Sequence, residues 1–176
     1  MCTQRQQGRF HVRRVILAAL VLAAAPMAGA AERSGALSVG GGLGFLADTT
    51  DGTAFALNFQ GDYFMSENVS LGPLVQLAFT GDLSQVGASG QAKYWLPMPG
   101  RPLATIVFQG GVGFVHADHR DDDTSFLVPL GIGVEYELNR DMSVNATFLV
   151  NFTDLDTGRG GDDTTLMPGL TFGIRF

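Results

Sequence analysis

The last seven residues of the chain constrain its fold more than any other segment. They read Leu-Thr-Phe-Gly-Ile-Arg-Phe, so apolar residues alternate with small or polar ones, and the last residue is aromatic. Successive side chains of a β-strand point to opposite faces, which gives this segment one apolar face: Leu170, Phe172, Ile174 and Phe176. A bulky exposed aromatic at the end of a closing strand is typical of a membrane barrel, where aromatics gather at the interface. The segment therefore predicts a membrane-inserted strand.

The other end of the chain has the pattern of an export signal. Arg5, Arg9, Arg13 and Arg14 precede a small and aliphatic run from Val15 to Ala25, and the triplet Ala28-Gly29-Ala30 follows. A basic region, an apolar run of about ten residues and an A-x-A-like site together predict a cleaved signal peptide. The run is shorter than the roughly 20 apolar residues of a membrane-spanning helix. We place cleavage after Ala30, so residues 1–30 are the signal and residues 31–176 one mature domain.

Cleavage would change the charge and the cysteine content. Four of the 11 basic residues would leave, so that 7 basic residues face 17 acidic ones, a formal charge of about −10 in place of −6. The single cysteine, Cys2, would leave as well, which excludes disulfides and thiolate metal sites from the mature chain. Net acidity excludes nucleic acid as a partner, because that affinity depends on basic side chains that neutralise phosphates.

The rest of the chain repeats the period-two pattern of the final segment. Eight segments alternate a Leu/Val/Ile/Phe face with a face of Gly, Ser, Asn, Gln and a few charges. At about 9 to 13 residues each, they suit tilted strands that cross the hydrocarbon layer. The predicted strands are Ala36–Leu46, Ala54–Phe64, Val69–Phe79, Ala88–Leu96, Leu103–Val115, Phe126–Leu138, Val144–Phe152 and Leu166–Phe176.

The connections alternate in length. Residues 66–68, 97–102 and 139–141 are short, whereas residues 47–53, 80–87, 116–125 and 153–165 are mostly longer, polar and rich in Asp and Gly. Short periplasmic turns and longer extracellular loops are the outer-membrane arrangement. The fold predicted is an all-β, eight-stranded antiparallel up-and-down transmembrane β-barrel, with both termini on the periplasmic side.

A soluble secreted barrel is the alternative to a membrane barrel. A soluble eight-stranded barrel would place its bulky apolar face inward around a ligand. Here the opposite face carries so many glycines that it would make a poor apolar calyx but would fill a narrow lumen well. The bulky face therefore meets lipid in our interpretation.

Three prolines lie inside predicted strands, where a closed barrel leaves no edge to tolerate a missing N–H. We place Pro129 and Pro168 near the extracellular rim, where bulges are common. Pro73 lies deeper and has no explanation from the sequence.

The whole mature chain resembles the small outer-membrane barrels of the OmpX/Ail and OmpA-transmembrane-domain type. The segment Phe64-Met65-Ser66-Glu67-Asn68-Val69-Ser70-Leu71-Gly72 is similar to their recurring hairpin. The final segment resembles the signature by which such barrels are recognised for assembly, with Phe172, Ile174 and Phe176 as its apolar residues. The resemblance implies the Gram-negative outer membrane as location. It also implies lipids and lipopolysaccharide as partners, and the barrel-assembly machinery and periplasmic chaperones during biogenesis.

Charged residues also occur on the predicted inner face. This lumen charge cluster, near the periplasmic strand ends, is Asp62, Lys93, Glu135, Glu137 and Arg175. Eight strands enclose an interior just wide enough for side chains to fill, so the mixed signs predict a salt-bridged plug. A charged constriction in a narrow conducting pore is the alternative.

The outer loops contain weak candidates for metal ligands. His116 and His119 beside Asp121 could ligate a transition metal. Asp154 and Asp156 resemble part of a calcium loop but lack its later bidentate Glu. A solvated loop whose charge keeps it soluble explains the same residues, so no metal and no cofactor are predicted.

Catalysis is not predicted. A lipid A-modifying hydrolase needs a nucleophile, a base and an orienting carboxylate within reach of one another. The nearest serine to the two histidines, Ser125, lies beyond an acidic run. The sequence predicts a monomeric, non-enzymatic outer-membrane barrel with a closed lumen, serving envelope integrity or surface contact through its acidic loops. A narrow porin-like channel for ions or small solutes is the alternative.

Overall fold

A computed structural model describes residues 34–49, 52–81, 84–118, 123–155 and 164–176. The predicted signal peptide lies outside these residues. The described chain forms eight β-strands. Their bounds are β1 Leu37–Thr49, β2 Gly52–Ser66, β3 Val69–Phe79, β4 Ser84–Pro97, β5 Ala104–Asp118, β6 Asp123–Asn139, β7 Met142–Leu155 and β8 Thr164–Arg175.

The eight strands form a closed antiparallel barrel in which each strand pairs with its neighbours in sequence. Closure comes from β1 and β8, which pair from Gly40 with Arg175 to Leu46 with Gly169. Val39 and Phe176 extend this seam by exchanging two backbone hydrogen bonds of 3.0 and 2.8 Å. The predicted fold is confirmed. No helix in the described part of the chain is long and apolar enough to cross a membrane.

The strands extend further than predicted at one end of the barrel. We call this the loop end, and the opposite end, where residues 67–68, 98–103 and 140–141 connect the strands, the short-turn end. β1 continues to Thr49, β4 begins at Ser84, and β5 continues to Asp118. Placing His116 and Asp123 in a loop was therefore wrong, because both lie in strands. Hydrophobic alternation marks only the lipid-facing part of a strand, whereas the hydrogen-bonded hairpin continues beyond it.

The two faces of the sheet separate as the alternation predicts. In the membrane-spanning part, even-numbered residues of β1 to β3 and odd-numbered residues of β4 to β8 point into the lumen. The outer face is apolar and exposed. Its three tyrosines, Tyr63, Tyr94 and Tyr136, are each half exposed and lie three residues before the short-turn ends of β2, β4 and β6. Such a belt is typical of a membrane–water interface.

The prolines interrupt the hydrogen-bonded ladder without shifting it. Pairing of β2 with β3 stops after Gln60–Leu74 and resumes in the same register at Tyr63–Leu71, which leaves Pro73 opposite Gly61. The ladder on the other side of Pro73 continues through its pair with Gly90. Next to it, a Cβ on Gly72 would overlap the Gly61 carbonyl oxygen, so the absence of a side chain there lets the two backbones approach closely.

Pro129 lies in a similar interruption between β5 and β6, where pairing resumes in the same register. The β5–β6 ladder therefore has no bulge at Pro129. Pro168 lies one residue beyond Gly169, the last residue of β8 that pairs with β1, so its missing N–H falls where that ladder ends.

Candidate functional site: the barrel lumen

The first ion pair of the lumen joins β2 and β4 near the short-turn end. The Lys93 ammonium donates to Asp62 Oδ2 at 3.0 Å and to Gln60 Oε1 at 2.7 Å. The Ser70 hydroxyl donates to the other carboxylate oxygen of Asp62 at 3.2 Å. Both charged side chains are almost completely buried. A buried pair of this kind persists because each charge neutralises the other and neutral groups satisfy the remaining hydrogen bonds.

The second ion pair is centred on Arg175, on the last strand. Its Nε donates to Glu135 Oε2 at 2.7 Å, and its Nη2 donates to the second oxygen of the same carboxylate. The third nitrogen donates to the Ser38 hydroxyl at 3.0 Å. This two-point contact is the geometry that favours arginine over lysine. It joins β8 to β6 across the lumen and to β1 across the seam.

Two aromatic rings lie beside the second ion pair. The Arg175 guanidinium lies 4.5 Å from the Trp95 ring centre and 5.7 Å from that of Phe64, within the range of a cation–π contact. The two rings contact each other with centres 5.3 Å apart. The Trp95 indole N–H donates to the Ser70 hydroxyl at 2.9 Å, which connects the rings to the first ion pair. With Val107, these rings form the short-turn cluster.

The middle of the lumen is polar and loosely filled. A small cavity leaves about 20 Å³ of room for the centres of water molecules, enough for one or two waters. Neutral side chains contribute most of its polar lining: Asn58, Gln60, Gln109, Asn145, Thr147 and Thr171. Several buried acceptors of this region, Asn58 Oδ1, Gln76 Oε1 and Gln91 Oε1 among them, have no partner within the described residues.

The loop end of the lumen is filled with apolar side chains. Leu127, Leu155, Met167 and Val115 are completely or almost completely buried. The full set, which we call the loop-end cluster, is Leu46, Ala54, Ala56, Ala78, Val115, Ala117, Leu127, Leu155 and Met167. The Gln85 side chain donates a weak 3.7 Å hydrogen bond to the Met167 sulfur. Two further polar residues, Asn151 and Thr153, are buried at this end and pair in register with Met167 and Leu127.

The other predicted site residues lie apart from these contacts. Glu137 is only half-buried, in contrast to Glu135. Phe172, Ile174 and Phe176 are exposed on the lipid-facing side of the seam.

Of the metal candidates, His116 is exposed, and its Nδ1 lies 2.8 Å from the Thr124 hydroxyl. Asp154 is exposed on β7. His119, Asp121 and Asp156 lie outside the described residues. In the part that the structure describes, no group of three or more His, Cys, Asp or Glu side chains could hold a metal ion.

Sequence reasoning missed the loop-end cluster and the aromatic contacts of Arg175. The signal was present in the phase of the alternation. Extending the inward positions of each strand to its ends places Leu46, Trp95, Leu127 and Met167 in the lumen. Their apolar character hid this, since apolar residues were assigned to lipid wherever they occurred.

Comparison with known proteins agrees with this geometry. A family model described as "Outer membrane protein beta-barrel domain" matches residues 15–176. No curated protein sequence matches the chain at a significant level.

Solved structures share the fold at low sequence identity. Neisserial surface protein A (NspA) has a TM-score of 0.62 and 11% identity over 79% of this chain and 94% of that one. The outer membrane protein OprG from Pseudomonas aeruginosa has a TM-score of 0.56 and 12% identity over 85% and 99%. Ail, the attachment invasion locus protein of Yersinia pestis, has a TM-score of 0.50 and 9% identity over 80% and 96%. Identities this low show a shared fold alone.

Proposed function

The chain belongs to the outer membrane protein β-barrel domain family and lies in the Gram-negative outer membrane, and on that premise we propose that it is a non-enzymatic barrel with a closed lumen. Its role would be to support the integrity of the envelope, or to make surface contacts, through the connections at its loop end. The short-turn end would face the periplasm. The buried side chains of the lumen are the observation that carries this proposal.

Two layers of different chemistry favour a closed lumen. At the short-turn end, two ion pairs and two aromatic rings pack against each other. At the loop end, nine apolar residues form a buried cluster. A hydrated ion would have to displace apolar side chains at the loop end. At the short-turn end it would have to compete with charges that are already paired. Each step is costly in a space of low dielectric constant.

Single-channel recording in planar bilayers tests the closed lumen. We expect no steady conductance from the wild-type protein, since both layers are packed. The double variant Leu127→Ala with Met167→Ala shortens two side chains of the loop-end cluster, and its conductance should be compared with that of the wild type in the same assay. The matched control is Leu130→Ala, because Leu130 lies on the same strand but is exposed on the lipid face.

A narrow channel is the second candidate, favoured by the polar cavity in the middle of the lumen. Steady wild-type conductance that is lost or altered in Glu135→Ala would establish the channel and overturn the closed barrel. Swelling of liposomes in small sugars or amino acids would distinguish the closed barrel from the channel for solutes larger than ions.

Catalysis is not part of the proposal. The exposed position of His116 and its hydrogen bond to Thr124 support a structural role for this histidine. Unchanged lipid A in mass spectra after overexpression is the expected result. A new deacylated or otherwise modified species that disappears in His116→Ala would overturn it.

The proposed partners follow from the fold. Outer-membrane barrels of this family contact membrane lipids and lipopolysaccharide. We further propose a monomer, delivered by periplasmic chaperones to the barrel-assembly machinery, with Phe172, Ile174 and Phe176 as the assembly signal. Their exposure on the outer face supports this, since a recognition signal must be accessible before insertion. Accumulation of Phe176→Ala in the periplasm, with Phe172→Ala as a second variant, would be the expected result.

A further inference from the structure

The middle of the lumen has a different hydrogen-bonding balance from the layers on either side of it. Both ion pairs of the short-turn end are satisfied by named partners, and the loop end is mainly apolar. Between them, Asn58 and Gln76 lie side by side in the β2–β3 register. The amide oxygen of each is buried and has no hydrogen-bond partner among the described residues. Because buried polar groups are almost always hydrogen-bonded, these oxygens require a donor that the described side chains do not supply.

An internal cavity lies next to one of these oxygens. The Asn58 side chain lines it, and the cavity leaves about 20 Å³ for the centres of water molecules, whereas one bound water needs about 10–15 Å³. Gln60 lines the cavity from the same strand. Its Oε1 accepts from the Lys93 ammonium at 2.7 Å, so its amide nitrogen is the group left to donate. Polar side chains of β5, β7 and β8 complete the lining: Gln109, Asn145, Thr147 and Thr171.

Glycines of the inner face help to create this space. A Cβ at Gly173 would lie 2.9 Å from Asn145 Oδ1, and a Cβ at Gly40 would lie 3.1 Å from Gln60 Nε2. At such distances the amide groups would have to move away from the barrel wall. The absence of a side chain at both positions therefore lets the amides lie against the wall and leaves room at the centre of the lumen.

The lining favours water over an ion as the occupant. All ten lining residues are uncharged, and the charges of the neighbouring layer already neutralise each other. A cation would therefore lose its hydration shell in a space of low dielectric constant without gaining a counter-charge, which is costly. Water is both a donor and an acceptor, so a single molecule can donate to Asn58 Oδ1 and accept from the Gln60 amide.

We propose that this cavity binds one or two internal water molecules as a permanent part of the fold, with Asn58 and Gln60 as their principal partners. The bound water continues the hydrogen-bond network of the first ion pair from Lys93 through Gln60 into the middle of the lumen. This site goes beyond the closed lumen proposed above, because binding of water in the middle of the barrel and passage of ions through it are separate properties.

NMR spectroscopy of the refolded barrel in lipid nanodiscs tests the site. Nuclear Overhauser effects from water to the side-chain amide protons of Asn58 and Gln60 are measured, since their sign distinguishes a bound water from one that exchanges rapidly. We expect bound-water contacts at both residues in the wild type. Asn58→Leu should abolish the contacts at Gln60, because the leucine side chain removes one partner and occupies part of the space. Absence of the contacts in the wild type would overturn the proposal.

Gln85→Leu is the matched control for stability. Gln85 also has a buried oxygen without a partner among the described residues, but it contacts Met167 and is not one of the cavity-lining residues. Urea unfolding of both variants measures the equilibrium constant for unfolding. Asn58→Leu should raise this constant about fivefold, which corresponds to the loss of one ordinary hydrogen bond, and Gln85→Leu should leave it nearly unchanged. An unchanged or lowered constant in Asn58→Leu would indicate a dry cavity and overturn the proposal.

A compact unheated band on gels shows that each variant is folded. If Asn58→Leu does not fold, Thr171→Val removes a hydroxyl from the same cavity at nearly constant shape and should weaken the same water contacts. Titration with KCl and NH₄Cl distinguishes water from a cation. We expect no saturable shift of the Asn58 and Gln60 amide signals, and such a shift, absent with choline chloride, would overturn water as the occupant.

Single-channel recording of the same wild-type protein keeps this proposal apart from the closed lumen. A conducting barrel that shows the bound-water contacts would overturn the closed lumen alone. A barrel without conductance and without these contacts would overturn the water site alone.

Discussion

The two ends of the lumen solve the same packing problem with opposite chemistry. The short-turn end is filled by paired charges, hydroxyls and two aromatic rings, and each charged group has named partners. The loop end is filled mainly by small and aliphatic side chains, with three buried polar residues beside them, Gln85, Asn151 and Thr153. Specific partners hold the first end together, whereas shape and volume hold the second. Substitutions at the short-turn end should therefore destabilise the barrel by removing a partner, and substitutions at the loop end by changing the packed volume.

The largest effect should come from Glu135→Ala. This change leaves the Arg175 guanidinium buried without its carboxylate, and breaking a buried pair in this way costs about 3–5 kcal/mol. Urea unfolding in lipid vesicles measures the loss. The double variant Glu135→Leu with Arg175→Met should be much less destabilised, since neither charge remains. A double variant as unstable as Glu135→Ala would show that side-chain shape, not charge pairing, dominates this end.

Leu127→Ala should give the next largest effect. It leaves a cavity in the loop-end cluster, and buried leucine-to-alanine changes cost about 2–5 kcal/mol. Leu130→Ala on the lipid face should cost less, because lipid chains can fill the space that the side chain leaves. Thermal unfolding on gels, followed by the heat-modifiable band, compares the pair. Equal losses would mean that the loop end is not tightly packed.

Trp95→Phe should have a smaller effect. It removes the hydrogen bond to the Ser70 hydroxyl but keeps an aromatic ring beside Phe64 and Arg175, so we expect a loss of about 1 kcal/mol. Ser70→Ala, which removes the other partner and also a donor to Asp62, should cost more than Trp95→Phe. A larger loss in Trp95→Phe than in Ser70→Ala would mean that the aromatic contacts, and not the hydrogen bond, stabilise this layer.

Gln85→Leu should have the smallest effect. Gln85 makes only the weak contact to Met167, and its Oε1 has no partner in the described part of the chain. Replacing a poorly satisfied polar group by an apolar one of similar volume is close to neutral or stabilising. A loss above about 1 kcal/mol would reveal that the loop end depends on polar contacts as well.

The barrel itself could be predicted because its outer face repeats one simple pattern. Each strand must present apolar residues to lipid at every second position, and this requirement is visible in β6 from Phe126 to Leu138. The charges of the lumen could be placed for the same reason, since Asp62, Lys93, Glu135 and Arg175 fall in the opposite phase. Their pairing could not, because which charge meets which depends on how far the strands are staggered around the barrel.

The loop end was harder to predict for two physical reasons. Lumen residues such as Leu127 and Met167 are as apolar as those that face lipid, so composition does not distinguish the two environments. The strand ends beyond the hydrocarbon layer, such as Ser84 and Asp118, lose the alternation although their backbone pairing continues. Pro73 shows a third limit, because its missing N–H falls where the β2–β3 ladder is interrupted opposite Gly61, and the position of that interruption is not visible in the local sequence.

The position of Arg175 on the last strand links charge pairing in the lumen to completion of the barrel. One side chain of the final strand bonds β6 and β1 and lies against rings from β2 and β4. Because Arg175 lies on β8, the Glu135 carboxylate gains this partner only when β8 is in its place in the barrel. Closure of the barrel and charge pairing at the short-turn end of the lumen therefore depend on the same strand.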